Sequence, residues 1–507
     1  VSEQFRIPLA GSINTRIVTP AALSLTTSVV GSAVVGVAVV GDAGTSTTKD
    51  QRFVNCFTET VTNPHSGSKT TYLVKRPGFA ASGLTPQSGS VGNDIMIWTG
   101  SSSKVISAFG ATHSSIYDSA TQLVTNNADT TKITGKARSI TETELSGTAT
   151  LTIASTDSTA WYYQPAGTVT KIADADYPGN AGFTTAGGFA HMDGYAFIMD
   201  TRGRIWNSDV NSVTAWTATS FVSANSYPDA GIGVIRHGDK IMAFGTESIQ
   251  FFHNAGNASG SPLSRVEPMT LKIGAISSDA IVDVKGTVFW AGSSPQGGIA
   301  IYSYSNGAKR VSTPELESIL LLAGTSNISL TATTWFGRNF VLCQASTVSF
   351  AYCIEEGGWF EVSSQTPLWY KAAGVSSGTQ VTYLISKNST SGKIYVVNPA
   401  AYTFRDDSVV YTTTMQTSPI GDPVRKTCWD ELRVIADRET ATSNLWVAVS
   451  DDDFQTSMYA GVIDLSSSYG KISRLGYAYR RSFILTHQSA TPFRIEALVG
   501  RKTMAAA

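Results

Sequence analysis

A two-strand module recurs through the middle of the chain and constrains the fold more than anything else in the sequence. An apolar strand is followed by a short polar or glycine-rich turn and then a second strand carrying aromatic residues. Copies begin at Ile95 (IMIWTG, SSSK, VISAFG), Leu151 (LTIAS, TDST, AWYYQ), Tyr195 (YAFIMD, TRGR, IWNSD) and Lys240 (KIMAFG, TES, IQFFHN). Three more begin at Thr287 (TVFWAG, SSPQGG, IAIYSY), Phe340 (FVLCQA, STV, SFAYCI) and Val381 (VTYLIS, KNSTSG, KIYVVN). Residues of high β-propensity on both sides of a turn read as hairpins. Successive copies start roughly 45 to 55 residues apart, the repeat length of a four-stranded propeller blade. The copies predict an all-β chain with a β-propeller of six or seven degenerate blades over residues 81–400. They carry no Trp-Asp or Gly-Gly repeat signature.

Composition agrees with strands. Charged residues are 15% of the 507, against about a quarter in ordinary domains, and Ser, Thr, Gly, Val and aromatics take their place. Glu315–Ala323 (ELESILLLA) is the one clear helical piece, with Thr313-Pro314 as its start. The balance of 37 basic and 38 acidic residues does not support a broad phosphate-gripping surface. Cys56, Cys343, Cys353 and Cys428 show no CxxC spacing and read as buried thiols; a bridge between Cys343 and Cys353 across a hairpin stays open.

The flanks differ from the repeat. Residues 1–50 form an N-terminal arm, and VSEQFRIPLAG does not read as a signal peptide. Ala21–Gly41 is uncharged and repeats Val-Val-Gly, which suits packed strands or an assembly contact better than a membrane span. Residues 51–80 read as a hairpin, Arg52–Thr60 with Thr70–Lys75, stopped by Arg76-Pro77-Gly78. Pro77 fixes its own φ and Gly78 permits a positive one. Tyr117–Gly147 reads as a polar surface insertion and Asn207–Ala230 as a connector. Residues 401–507 read as a separate β-sandwich, in which Tyr477–Arg481 (YAYRR) forms a basic-aromatic strand.

Chemical motifs are scarce. The six histidines form no HExxH and no pair at helical spacing, so no metal site and no cofactor is expected. Ser450–Thr456 resembles the Asp-box of sialidase-like propellers, with Phe454 in the glycine position and Ser457 in that of the tryptophan. There the aspartate orders a turn, so the expected role is structural. The acid pairs Glu355-Glu356 and Asp406-Asp407 read as solvated surface groups, since neighbours on a strand point to opposite faces. Trp161, Trp206, Trp216, Trp290, Trp335 and Trp359 read as blade packing.

Three stretches carry a family resemblance. They are Gln51–Phe79 (with Arg52, Asn55, Lys75, Arg76, Pro77 and Gly78), Val348–Glu361 (VSFAYCIEEGGWFE, with Trp359), and the C-terminal part from Trp429 to Leu432 through the Ser-Asp-Asp turn, Gly476, Tyr477, Arg480, Arg481 and Thr491-Pro492-Phe493. In order and spacing these resemble the tail nozzle, or packaged-DNA stabilisation, proteins of short-tailed bacteriophages. Cys353 stands where an Asp is expected, and the apolar stretch 20–45 departs from the family pattern. The resemblance implies a non-enzymatic virion protein, assembled in the host cytoplasm. It implies a six-copy ring below the portal and adaptor that retains packaged DNA and conducts it at infection. Its neighbours would be adaptor proteins, tail fibres or spikes, a needle or plug, and double-stranded DNA. Two other readings stay open: a carbohydrate-binding or glycoside-hydrolysing propeller, and a tail fibre or receptor-binding protein. In the nozzle reading, residues 51–80 join the N-terminal arm in a platform, with the C-terminal sandwich as a further candidate component.

Overall fold

The computed structural model describes residues 2–8, 51–62, 65, 67–84, 91–99, 104–110, 113–119, 122–123, 133–165, 167–293, 297–364, 369–374, 379–386, 393–467 and 470–504. The Val-Val-Gly stretch Ala21–Gly41 and the Asn126-Asn127 pair lie outside them. The chain forms two compact units. One comprises Ala81–Thr347 and Pro367–Ala400, the other Val1–Ala80, Val348–Thr366 and Ala401–Ala507.

In the first unit, seven antiparallel groups of strands follow one another among the described residues. Their first strands are Gly92–Trp98, Ala137–Leu145, Thr185–Met192, Gly231–His237, Ile281–Val284, Ile328–Trp335 and Trp369–Gly374. First strands of successive groups lie side by side except between the fourth and fifth, and that of the seventh lies against that of the first, which closes a ring. The fourth and fifth groups meet through a shared core in which Met242, Phe244 and Phe251 pack against Val288, Trp290 and Tyr304. This is a β-propeller. The chain enters it beside its last group, where the Ser82 amide donates to the Ile394 carbonyl at 3.0 Å.

The hydrophobic cores sit between blades. Trp98, Ile106 and Ile116 pack against Leu151, Ile153 and Trp161 of the next group. Ala154, Ile172 and Tyr177 pack against Ile198, Trp206 and Trp216, and Ile95 and Phe109 against Ile385 and Ile394 across the closure. Each strand alternates its side chains between two faces, so a blade buried on both sides is apolar on both. That is why the strands read as nearly continuous apolar runs.

Within the blades, a turn pattern recurs that identical-residue searching misses. Ser146-Gly147, Asp193-Gly194, Lys285-Gly286 and Phe336-Gly337 each link the first strand of a group to the second. Both residues of each pair have positive φ. Two left-handed residues in a row make the turn whose twist matches a tight hairpin.

Two sequence expectations change here, and one open question closes. Ala137–Leu145, assigned to a surface insertion, is the first strand of the second blade, paired with Thr148–Ser155. Its Ala137, Ile140 and Thr143 are buried, while Glu142 and Glu144, on either side of Thr143, are half-buried. The connector Asn207–Ala230 contains the strand Ser212–Ser223, whose two register shifts against Arg204–Asp209 break the alternation that sequence reading relies on. Cys343 and Cys353 are not bonded, and all four cysteines are free thiols. The single predicted helix spans Pro314–Ala323, with Thr313 as its cap.

The second unit holds two sheets. One runs in the order Cys56–Thr62, Lys69–Lys75, Arg494–Met504, Thr427–Ala436, Lys471–Ala478, with Ser2–Pro8 also paired to Arg494–Met504. The other joins Val348–Cys353, Gly358–Val362, Arg52–Val54, Thr413–Gln416, Arg480–His487, Asn444–Ser450 and Met458–Asp464. Trp429 of the first sheet meets Phe483 of the second edge to face at 5.7 Å.

The turn geometry makes a prediction. Lys285 is exposed yet held at φ 51°, where asparagine is far better tolerated. Lys285→Asn should stabilise the propeller by about 0.5–1 kcal/mol, read as a rise in thermal midpoint.

Candidate functional site: a buried cation pair

Lys75 and Arg76 end the second strand of the N-terminal hairpin, and both are fully buried. A buried guanidinium must satisfy five N–H donors. Arg76 satisfies all of them: Nε donates to Asn55 Oδ1 at 2.7 Å, Nη1 to the Pro77 carbonyl at 2.9 Å, and Nη2 to the Ser363 carbonyl at 3.1 Å. The other two donors form a fork on Asp406, at 3.1 Å to Oδ1 and 2.6 Å to Oδ2. The guanidinium also lies 4.0 Å from the centre of the Tyr411 ring and 4.7 Å from that of Phe79. The Tyr411 hydroxyl donates to the Arg76 carbonyl, and burial pushes that hydroxyl's pKa well above its usual range.

The residues around Arg76 explain the local backbone. Asn55 adopts φ 61°, which asparagine tolerates better than most residues. That conformation lets one side chain do three jobs: Oδ1 accepts from Arg76 and from the Ser363 amide at 2.9 Å, and Nδ2 donates to the Thr412 carbonyl at 2.7 Å. Gly78 is needed for a different reason from the one its sequence suggests. Its φ is not in the left-handed region; a Cβ there would sit 2.1 Å from the Arg405 carbonyl oxygen. Its amide donates to the Thr403 carbonyl at 2.6 Å.

Lys75 has a different environment. Its ammonium donates to His487 Nδ1 at 3.2 Å and to the carbonyls of Ser489 and Thr491 at 2.7 and 3.3 Å. The Tyr411 ring centre is 4.8 Å away. An ammonium has no lone pair, so Nδ1 must be the bare acceptor and Nε2 must carry the imidazole proton, which it donates to Ser443 Oγ at 2.9 Å. Burial, with Arg76 close by, pushes the Lys75 pKa down to about 7. Burial and Lys75 push that of His487 down to about 3.

The other signature residues lie in the same unit. Arg52 pairs with Glu361, Nε to Oε2 at 2.8 Å. Trp359 is buried and packs 5.1 Å from Tyr352. Trp429 is buried beneath the Arg481 guanidinium, at 5.8 Å. The structure thus gathers Asn55, Arg76, Pro77 and Gly78 into one knot, with Arg52, Trp359 and Trp429 elsewhere in the same unit.

Sequence reasoning missed Asp406. It was read as a solvated acid and is instead buried as the partner of Arg76; it also accepts from the Phe79 amide at 2.9 Å. Arg481, the end of the basic-aromatic stretch Tyr477–Arg481, is buried and forms a fork on Asp451, both bonds at 2.7 Å. Arg480 pairs with Asp453 at 2.6 Å, while Tyr477 and Tyr479 are exposed. Asp452 orders the Ser450–Thr456 turn: it accepts from Ser450 Oγ and from the Thr456 amide, both at 2.9 Å. Among the described residues no group of three or more His, Cys, Asp or Glu is placed to hold a metal, and no helix is long and apolar enough to cross a membrane.

A family model described as "Bacteriophage P22 Gp10, beta-propeller" matches residues 108–393, more than half of the chain. The chain belongs to the phage stabilisation family. The match covers most of the propeller unit and also takes in Val348–Thr366 of the other unit. The propeller of this family member belongs to a phage structural protein of the tail. No match was found among curated proteins.

Two predictions follow from the cation pair. Asp406→Asn leaves the Arg76 charge buried without its counter-ion and should cost about 3–5 kcal/mol, measured as a fall in urea midpoint. Lys75 and His487 both bind protons more tightly when unfolded, because each folded pKa lies below its ordinary value. The unfolded state then gains from protons, so stability should fall with pH from about 10 to 7 through Lys75 and from about 6 to 3 through His487. Lys75→Met should flatten the upper part of that profile, and an unchanged profile would contradict the assignment.

Proposed function

We propose that this chain is the tail nozzle protein of a short-tailed phage. Six copies form a ring below the portal and adaptor, and its channel retains packaged DNA and conducts it at infection. The protein works without catalysis, in the virion, after assembly in the host cytoplasm. Adaptor proteins, tail fibres or spikes, and a needle or plug are its neighbours. The observation that carries this reading is the family match across the propeller.

Physical features support it. The near-zero charge balance suits a conduit, because many phosphate contacts would hold DNA rather than let it slide. The unit containing Arg76 exposes Trp446, Met458, Tyr459, Tyr477 and Tyr479. Trp446 and Tyr459 are 5.9 Å apart, and the strand Met458–Asp464 lies beside Lys471–Ala478. Exposed aromatic groups on neighbouring strands are what a subunit contact uses. The Arg76 knot serves as the platform that holds this surface. The carbohydrate reading expects acids and tryptophans to converge at one propeller mouth; the pocket described below is lined by one acid, Asp279, and by no tryptophan among the described residues.

The test is electron microscopy of the purified chain, alone and with its adaptor. Six-fold rings are expected, and a wild-type chain that stays monomeric with the adaptor present would refute the reading. A chain carrying Tyr477→Asp and Tyr479→Asp should fold normally and lose the rings. Gly78→Val should also lose them while the propeller keeps its protease resistance, and normal rings from Gly78→Val would refute the platform role.

A further inference from the structure

The propeller contains a pocket that the nozzle reading does not use. It has a volume of about 240 Å³ and is lined by residues of the first blade (Val91, Gly92, Asn93), the second (Lys136, Ala137, Arg138, Thr156) and the approach to the fifth (Ser277, Ser278, Asp279). The fifth of seven groups in a ring neighbours neither the first nor the second, so these residues meet only across the ring's axis. Arg138 Nη1 also donates to the Thr185 carbonyl at 2.8 Å, which brings in the third blade. The pocket is therefore axial, at the end of the ring from which the first strands start.

Its chemistry is rich in donors. Lys136, just ahead of the strand Ala137–Leu145, and Arg138, at the bulge that opens it, both line the pocket, on either side of buried Ala137. The bond to Thr185 steadies the Arg138 guanidinium. Thr156 Oγ1 accepts from the Lys136 amide at 3.0 Å, and Ser277 Oγ accepts from the Asp279 amide at 3.1 Å. A hydroxyl that accepts one N–H still has its own proton to donate. One carboxylate, Asp279, faces two cations, so the lining carries a net positive charge.

We propose that this axial pocket binds a small oxyanion, a phosphate or a phosphate monoester. Lys136 supplies the point charge, Arg138 the planar fork, and Ser277 and Thr156 the hydroxyl donors. Asp279 limits the charge the site accepts and disfavours extended polyanions. The propeller then has a recognition role beside its structural one, and the inference does not rest on the nozzle reading.

The test is isothermal titration of the full chain with inorganic phosphate and, separately, with glycerol phosphate, at constant ionic strength. Saturable binding at one site per chain is expected. Lys136 is exposed, so Lys136→Gln should fold as the wild type does, with an unchanged thermal midpoint, and should weaken binding about tenfold or more. Binding of phosphate alone would identify the free ion as ligand, and tighter binding of glycerol phosphate a monoester. Absence of saturable binding, or binding unchanged in Lys136→Gln, would overturn the proposal.

Discussion

The unit that holds the N-terminal hairpin depends on one fully buried ion pair, Arg76 with Asp406. Taking two charges out of water costs several kcal/mol per ion, and only complete hydrogen bonding offsets it. Here the offset is complete on the arginine side: all five N–H groups have acceptors, and two aromatic rings cover the faces. Such a pair contributes little net stability compared with apolar side chains of the same volume. What it does supply is geometry, because its fork and its single carboxylate tie residues 55, 76, 363 and 406 into one arrangement. Asn55 at positive φ and Gly78 against the Arg405 backbone are the local adjustments that allow it.

Lys75, the neighbouring cation, has no such fork. Its acceptors are an imidazole nitrogen and two carbonyls, all formally neutral. The two adjacent residues therefore behave differently: Arg76 is a satisfied fastener and Lys75 a titratable one. The propeller works on another principle. Its cores lie between blades, so each blade is stabilised by its neighbours, and aromatic pairs such as Phe244 with Trp290 at 6.0 Å span the gap.

Much of the propeller was legible because hairpins are local. Apolar runs around a polar turn need no distant partner to be recognised, and their period survives loss of sequence identity. The two-residue left-handed turns were present as Ser-Gly, Asp-Gly, Lys-Gly and Phe-Gly, but Lys285 and Phe336 do not look like turn residues. The strand Ser212–Ser223 escaped because its register shifts spoil the alternation. Nor could sequence show that Val348–Thr366 packs with the hairpin unit, since that follows from strand pairing such as Val54 with Glu361. At the candidate site, Asn55, Arg76 and Gly78 stood out through the turn they form. Asp406 did not, because acids side by side are usually solvated and its partner is 330 residues away.

That separation sets the order in which the protein can be made. Lys75 and Arg76 are synthesised early, whereas His487 is 412 residues downstream of Lys75. Asn55 and Pro77 can accept from Arg76 at once, but its counter-ion Asp406 and all three acceptors of Lys75 come only after the intervening propeller has emerged. The propeller closes only after Ile394 becomes available to Ser82. The hairpin unit gains its central strand, Arg494–Met504, later still. A prematurely terminated chain can therefore own a finished propeller and still lack a platform. Docking of the hairpin into its sheet therefore waits for the strand Arg494–Met504.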